Sequence, residues 1–131
     1  MKTIAIDRSK AIQQDSSPTG HFEGTVFLQR LASTPADGDI EFMAVYFSPG
    51  ARTKPHIHPR DQYLQIMEGK GVVATDKERR VVSAGDLVVM PGGTWHWHGA
   101  TSDSAMMHLS IRTSGESTFD LDQRDWATAM R

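Results

Sequence analysis

From Glu23 onward, apolar positions fall in short runs rich in β-branched and aromatic residues, broken by Gly, Pro and Asp. No stretch of this part repeats its apolar positions with a helical period. Such runs read as strands, because β-branched and aromatic side chains suit a pleated, half-buried surface while Gly, Pro and Asp mark turns. The pattern predicts strands over residues 24–31, 40–48, 54–58, 63–68, 71–75, 79–82, 87–91, 94–98 and 105–112. Many short strands at this spacing form a sandwich or a barrel. Ahead of them, residues 10–20 are rich in Ser, Gln, Pro and Gly and read either as an arm over the surface or as disorder. The expected organisation is one domain, with residues 1–22 as an N-terminal arm that exchanges between subunits and residues 23–131 as the barrel. The one helix expected comes last, where Asp122 caps a short turn through Gln123, Arg124, Asp125, Trp126 and Ala127.

A chain of 131 residues is long enough to bury a core and too short for two domains. It has no cysteine, so a disulfide framework and a thiolate metal site are both excluded, and any metal must be held by nitrogen and oxygen. The apolar run near Ile4 and Ile6 is too short for a signal peptide, and no stretch has the length of a membrane span. A cytoplasmic protein without a membrane partner is expected. Fourteen Lys and Arg against sixteen Asp and Glu give a net charge of −2 with no basic block, so no nucleic-acid partner is expected.

The histidines carry the candidate chemistry. Five of the six, at 56, 58, 96, 98 and 108, lie in three predicted strands, whereas His21 stands apart in the arm. Residues i and i+2 on a strand share a face, so His56 with His58, and His96 with His98, project together. Each pair can converge on one ion; solvated surface pairs are the other reading. Trp95 and Trp97 flank His96 and alternate away from that face, toward a packing or subunit contact.

The surroundings of these pairs follow a pattern. The first reads Gly50, five residues, His56, one residue, His58, three residues, Gln62, six residues, Gly69. The second reads Gly85, five residues, Pro91, one residue, Gly93, two residues, His96. Together they resemble the paired signatures of the cupin superfamily, which implies an all-β, single-domain jelly-roll barrel (a double-stranded β-helix). The resemblance implies one divalent metal ion held by His56, His58, Gln62 and His96. The usual fourth ligand is a glutamate, and Gln62 stands in its place. An amide leaves the ion its full double charge, which makes a stronger Lewis acid that favours anionic guests. A barrel in which Gln62 does not ligate, metal-free or held by three histidines, is the alternative.

Further residues narrow the resemblance. Gly50 to Thr53, His56 to Pro59, Gln62, His96 to Ala100, Ala105, Met106, His108, Leu109 and Ile111 are similar to the bacterial manganese-dependent hydroxynitrile lyases among the cupins, and to cupins associated with carboxymuconolactone decarboxylases. This implies manganese, with iron, cobalt, nickel or zinc as alternatives, and His98 and His108 as catalytic proton carriers. Structural histidines are the competing reading for both. Alternation offers Met43, Val45 and Phe47 as an apolar pocket wall, with Thr53, Leu64, Ile66 and Met90 as further lining, although most such residues are simply core. Arg112 departs from the neutral side chain expected in those lyases and, if it points inward, favours a carboxylate-bearing guest over a cyanohydrin. The expected function is a metal-dependent lyase acting on a small carbonyl or cyanohydrin-like molecule. A cupin dioxygenase and a non-enzymatic binding barrel are the rivals, and a homodimer or homotetramer is the expected assembly.

Overall fold

The computed structural model describes residues 1–32 and 39–121. Its strands are β1 (Ile12–Gln13), β2 (Phe22–Glu23), β3 (Val26–Ala32), β4 (Ile40–Phe47), β5 (Arg52–Thr53), β6 (His56–Ile57), β7 (Gln62–Thr75), β8 (Arg79–Ser83), β9 (Leu87–Met90), β10 (His96–Ala100), β11 (Met106–Thr113) and β12 (Thr118–Phe119). Among the described residues the one helical turn is a 3-10 turn at Arg8–Lys10, and no helix is long and apolar enough to cross a membrane. The turn expected after Asp122 lies outside the described residues.

All strand pairs are antiparallel. One layer runs β1, β3, β4, β11, β7, β9, and the other runs β2, β5, β10, β7, β8, with β6 against β10 and β12 against β6. The two layers share β7, and the chain closes into a jelly-roll barrel. Two separate strands expected at 63–68 and 71–75 are therefore one strand of fourteen residues. The register shows why they read as two. Opposite β11, Glu68 faces Met107 and Ile66 faces His108, so Met67 is an extra residue, a β-bulge. Before the bulge Leu64 and Ile66 are buried on the even positions; after it the interior cluster takes Val73, an odd position. The bulge breaks the alternation while the strand continues. Gly69 follows it with φ +75°, and a Cβ there would run into the Ala105 carbonyl, so glycine is required where the strand turns between layers.

The interior is filled by Val26, Val45, Phe47, Ile66, Val73, Met90 and Met106, among others. Outside the first layer, Ala44, Tyr46 and Met107 pack with Ala11 of the arm. The arm is fixed there by Gln29, whose side chain accepts from the Asp7 amide at 2.8 Å and donates to the Ala5 carbonyl at 3.1 Å, and by Arg8 over the Tyr46 ring. The first part of the chain thus adds β1 to the sheet. Outside the second layer, Trp97 is completely buried with Val72 and Ala74, and Trp95 packs against them. A buried indole is worth about 5 kcal/mol from the roughly 200 Å² it removes from water. Trp97 buries that area within its own chain, which is the packing contact of the two expected for an outward position.

Candidate metal centre

The candidate ligands arrive from three neighbouring strands. His56 opens β6 and pairs in register with His96, which opens β10; His58 lies two residues further on, and Gln62 opens β7. All four are buried. The ring centroids of His56 and His96 are 4.3 Å apart, those of His56 and His58 4.6 Å, and those of His58 and His96 5.3 Å. One ligand atom from each of the three histidines lies within 4.8 Å of the other two, a group able to hold a metal ion.

The outer nitrogens are tied back. His56 donates from Nδ1 to the Lys54 carbonyl and His96 from Nδ1 to the Thr94 carbonyl, both at 2.8 Å, while His58 Nδ1 lies 2.6 Å from Ser117 Oγ. A carbonyl oxygen only accepts, so in His56 and His96 the proton sits on Nδ1 and Nε2 keeps its lone pair. His96 Nε2 then faces Gln62 Oε1 at 3.1 Å, while Gln62 Nε2 donates to Ser110 Oγ at 3.0 Å. With His96 neutral and the Gln62 amide in this orientation, two acceptors stand face to face with no proton between them. His58 Nε2 is buried and has no hydrogen-bond partner among the described residues. Converging lone pairs of this kind are what a cation satisfies, and the residues fit one held by nitrogen and oxygen.

Burial keeps the imidazoles in the neutral form that ligation needs. It holds His56 well below the ordinary histidine range, helped by His96 and His58. His58 is pushed down to about 3, by burial first and then by the Arg112 guanidinium. His96 is lowered by burial as well. A metal entering near neutral pH therefore has no proton to displace from these rings.

Beside the triad, His108 Nε2 and His98 Nδ1 are 3.0 Å apart, both residues buried, so one of these nitrogens carries the proton and the other accepts it. Burial holds His98 well below its usual range, with His108 adding to the effect, and lowers His108 to about 4. His98 Nε2 is buried without a partner among the described residues. The His98 backbone N–H donates to Thr53 Oγ1 at 3.1 Å, which ties β10 to β5 at this point.

The imidazoles other than His96, together with Gln62, line a cavity of about 330 Å³. Of the residues expected around a substrate, Met43, Val45, Thr53 and Arg112 line it, as do His56, His58, Gln62, His98 and His108. Phe47 and Leu64 do not. Phe47 packs in the interior behind the imidazole pair, its ring 5.1 Å from His108 and 6.2 Å from His98, and Leu64 is completely enclosed by its neighbours. Ile66 and Met90 belong to the same interior packing.

Other lining residues went unnoticed in the sequence. Glu41 alternates with Met43 and Val45 on β4, and that parity was a usable signal. Arg30 alternates likewise with Leu28 on β3. For His21, Ser117 and Phe119 no local signal exists, because loop and arm geometry brings them in. His21 stacks on Phe119 with ring centroids 3.7 Å apart, and Phe119 stacks on His56 at 4.9 Å. The arm is held beside this stack by Lys54, which donates to the carbonyls of Ser17 (2.6 Å) and Pro18 (3.1 Å).

Comparison with known proteins agrees with this architecture. The family described as "Cupin domain" matches residues 43–112. An (R)-mandelonitrile lyase from Granulicella tundricola is 36% identical over 110 residues, covering 83% of this chain and 84% of that protein. A gentisate 1,2-dioxygenase from a Ralstonia species is 34% identical over 64 residues, 48% of this chain but only 18% of the dioxygenase. The crystal structure of a cupin-like protein from Thermotoga maritima superimposes with a TM-score of 0.75 at 30% identity, covering 87% of this chain and 91% of that one.

Proposed function

The chain belongs to the cupin family, and from that premise we propose that it is a metal-dependent lyase acting on a small cyanohydrin or related carbonyl adduct. The observation that carries the reading is the buried contact between His98 and His108 beside the three-histidine group. His56, His58, His96 and Gln62 would hold the ion, with manganese as the metal we propose and iron, cobalt, nickel or zinc compatible with the same donors. When bound there, the ion supplies a Lewis acid that polarises a carbonyl or steadies an alkoxide.

The protein's own part is proton handling. In the tautomer where His98 Nδ1 donates to His108, the lone pair of His98 Nε2 is left to act as a base, and the neutral state of the ring suits that role. It takes the hydroxyl proton of the cyanohydrin. The bond to the nitrile carbon breaks with its electron pair leaving on cyanide, and the imidazole returns the proton to that anion. An aldehyde and hydrogen cyanide are the products. Met43 and Val45 supply an apolar wall for the rest of the substrate, and the Thr53 hydroxyl lies in the same cavity.

The test is benzaldehyde release from mandelonitrile by the manganese-loaded protein, compared with His98→Ala and His108→Ala. Each variant is expected to lose about 100-fold or more in kcat with metal content unchanged. Turnover that survives both substitutions removes the proton-carrying role. The similarity to a dioxygenase supports a second reading, in which the same centre handles dioxygen. Oxygen consumption with gentisate, together with no benzaldehyde release, would favour it over the lyase.

A further inference from the structure

The charged groups that line the cavity are unevenly matched. Apart from the histidines they are Arg30, Glu41 and Arg112, two guanidinium groups against one carboxylate. Glu41 sits between the two cations, with Oε1 3.1 Å from Arg112 Nη2 and Oε2 3.3 Å from Arg30 Nη1. The four candidate metal ligands are all neutral and cancel none of an ion's charge. We propose that the substrate carries a carboxylate, and that Arg112, with Arg30 beside it, forms the subsite that binds it. The inference rests on the lyase reading of this cavity and narrows its substrate class: a small cyanohydrin or related carbonyl adduct that also carries a carboxylate beside its apolar body.

The register of the barrel explains why Arg112 serves this purpose. Arg112 stands directly opposite Gln62 across β11 and β7, and opposite Glu41 across β11 and β4. A glutamate at position 62 would give that arginine an internal carboxylate next to the metal. Gln62 gives it none, and its amide bonds Ser110 instead. Arg112 is anchored by the carbonyls of Thr113 and Gly115, at 3.4 and 3.2 Å from Nη1, which fixes its guanidinium at the cavity wall with Nη2 turned to Glu41. Its side chain and that of Glu41 are 12% and 13% exposed, whereas Arg30 is 53% exposed and has room to swing toward a guest. Glu41 itself demonstrates that a carboxylate fits between the two guanidinium groups. A guest carboxylate joining them would bring the side-chain charge of the cavity from one positive to neutral. Its apolar body would lie along Leu28, Met43 and Val45.

The experiment is calorimetric titration of mandelate and of its uncharged isostere mandelamide, with metal-free and with manganese-loaded protein. In the metal-free protein any preference between the two must come from the side chains. Mandelate is expected to bind roughly tenfold or more tighter than mandelamide there, since a charge-assisted contact separates the two probes. Arg112→Met should bring the ratio close to one, with the loss falling on mandelate far more than on mandelamide. Glu41→Gln, which removes the competing carboxylate, should widen it. Because Arg112→Met leaves the largely buried Glu41 with only the half-exposed Arg30 as its partner, the neutral pair Glu41→Gln/Arg112→Met is measured alongside, and the same loss of preference is expected. Equal affinity for the two probes, no mandelate binding, or a preference that survives loss of Arg112 overturns the subsite. If manganese fails to bind while the preference persists, the metal-centred reading falls and the subsite stands. If manganese binds and the preference is absent, the reverse holds.

Discussion

His108 shows how a single residue couples the site to the stability of the fold. Its ring lies 5.1 Å from Phe47, it is completely buried, and burial lowers it to about 4 from an ordinary 6.5. Above pH 6.5 neither the folded nor the unfolded chain protonates this group, and it adds no pH dependence. Between about 6.5 and about 4 the unfolded chain takes up a proton that the folded chain refuses, so stability falls as pH falls, and it levels off below. Each pH unit in that window costs up to about 1.4 kcal/mol, on the order of 3 kcal/mol in all. Urea unfolding of metal-free protein at about pH 7.5 and about pH 5 should therefore show a smaller acid loss in His108→Gln than in the parent. An identical loss in both would mean that His108 is protonated in the fold. At this scale the sequence was informative where spacing is rigid. His56, His58 and His96 form a converging group because strand parity and motif spacing place them together. Phe47 and Leu64 lie behind the cavity wall, because parity decides a face and does not say whether a side chain reaches the cavity or fills the space behind it. His21 and Ser117 depend on chain returns that no local pattern encodes.

Among the elements, β7 is the one that makes a barrel out of two layers, and its bulge and Gly69 are the parts that allow this. Gly69→Ala adds a Cβ at φ +75° and drives it against the Ala105 carbonyl on the neighbouring connection. Gly85 also has a positive φ, +99°, but an added Cβ meets nothing within 4 Å. The comparison separates backbone strain from steric collision. Gly85→Ala should cost about 1 kcal/mol and Gly69→Ala roughly 3 kcal/mol in chemical unfolding, since only the second must also displace backbone. Equal costs would mean that the Ala105 connection yields at no expense. The expected strands at 40–48, 79–82, 87–91 and 105–112 correspond to β4, β8, β9 and β11 with ends shifted by a residue or so. The segment at 54–58 contracted to His56–Ile57, with Arg52–Thr53 as a separate short strand. Pro55 explains the gap between them: a residue without an N–H interrupts a ladder, although both strands still pair with β10. Strands of two residues such as β1, β2 and β12 are defined only by their pairing with β3, β5 and β6, and no local pattern marks them.

For the molecule as a whole, the buried histidines are a polar cost carried by an otherwise apolar barrel. Five histidines are buried together, and at His58 and His98 an inner Nε2 has no partner among the described residues. Each such group costs roughly 1–3 kcal/mol when left unsatisfied. The fold tolerates this because the interior cluster spans both layers, with Val45 and Phe47 from one and Val73 and Ala100 from the other. A divalent ion binds the folded arrangement far better than the unfolded chain, where the ligand histidines are scattered, so its binding free energy adds to stability. At a free concentration one hundred times its dissociation constant the gain is about 2.7 kcal/mol. For a chain of this size that is a rise in Tm of roughly 10 °C. Calorimetric melts of chelator-treated protein with and without manganese should show that rise in the parent, a smaller one in Gln62→Ala, and none in His56→Ala/His96→Ala. A parent Tm indifferent to manganese, iron, cobalt, nickel and zinc alike would mean that the converging lone pairs do not recruit a cation, and the metal-dependent reading would fall with them.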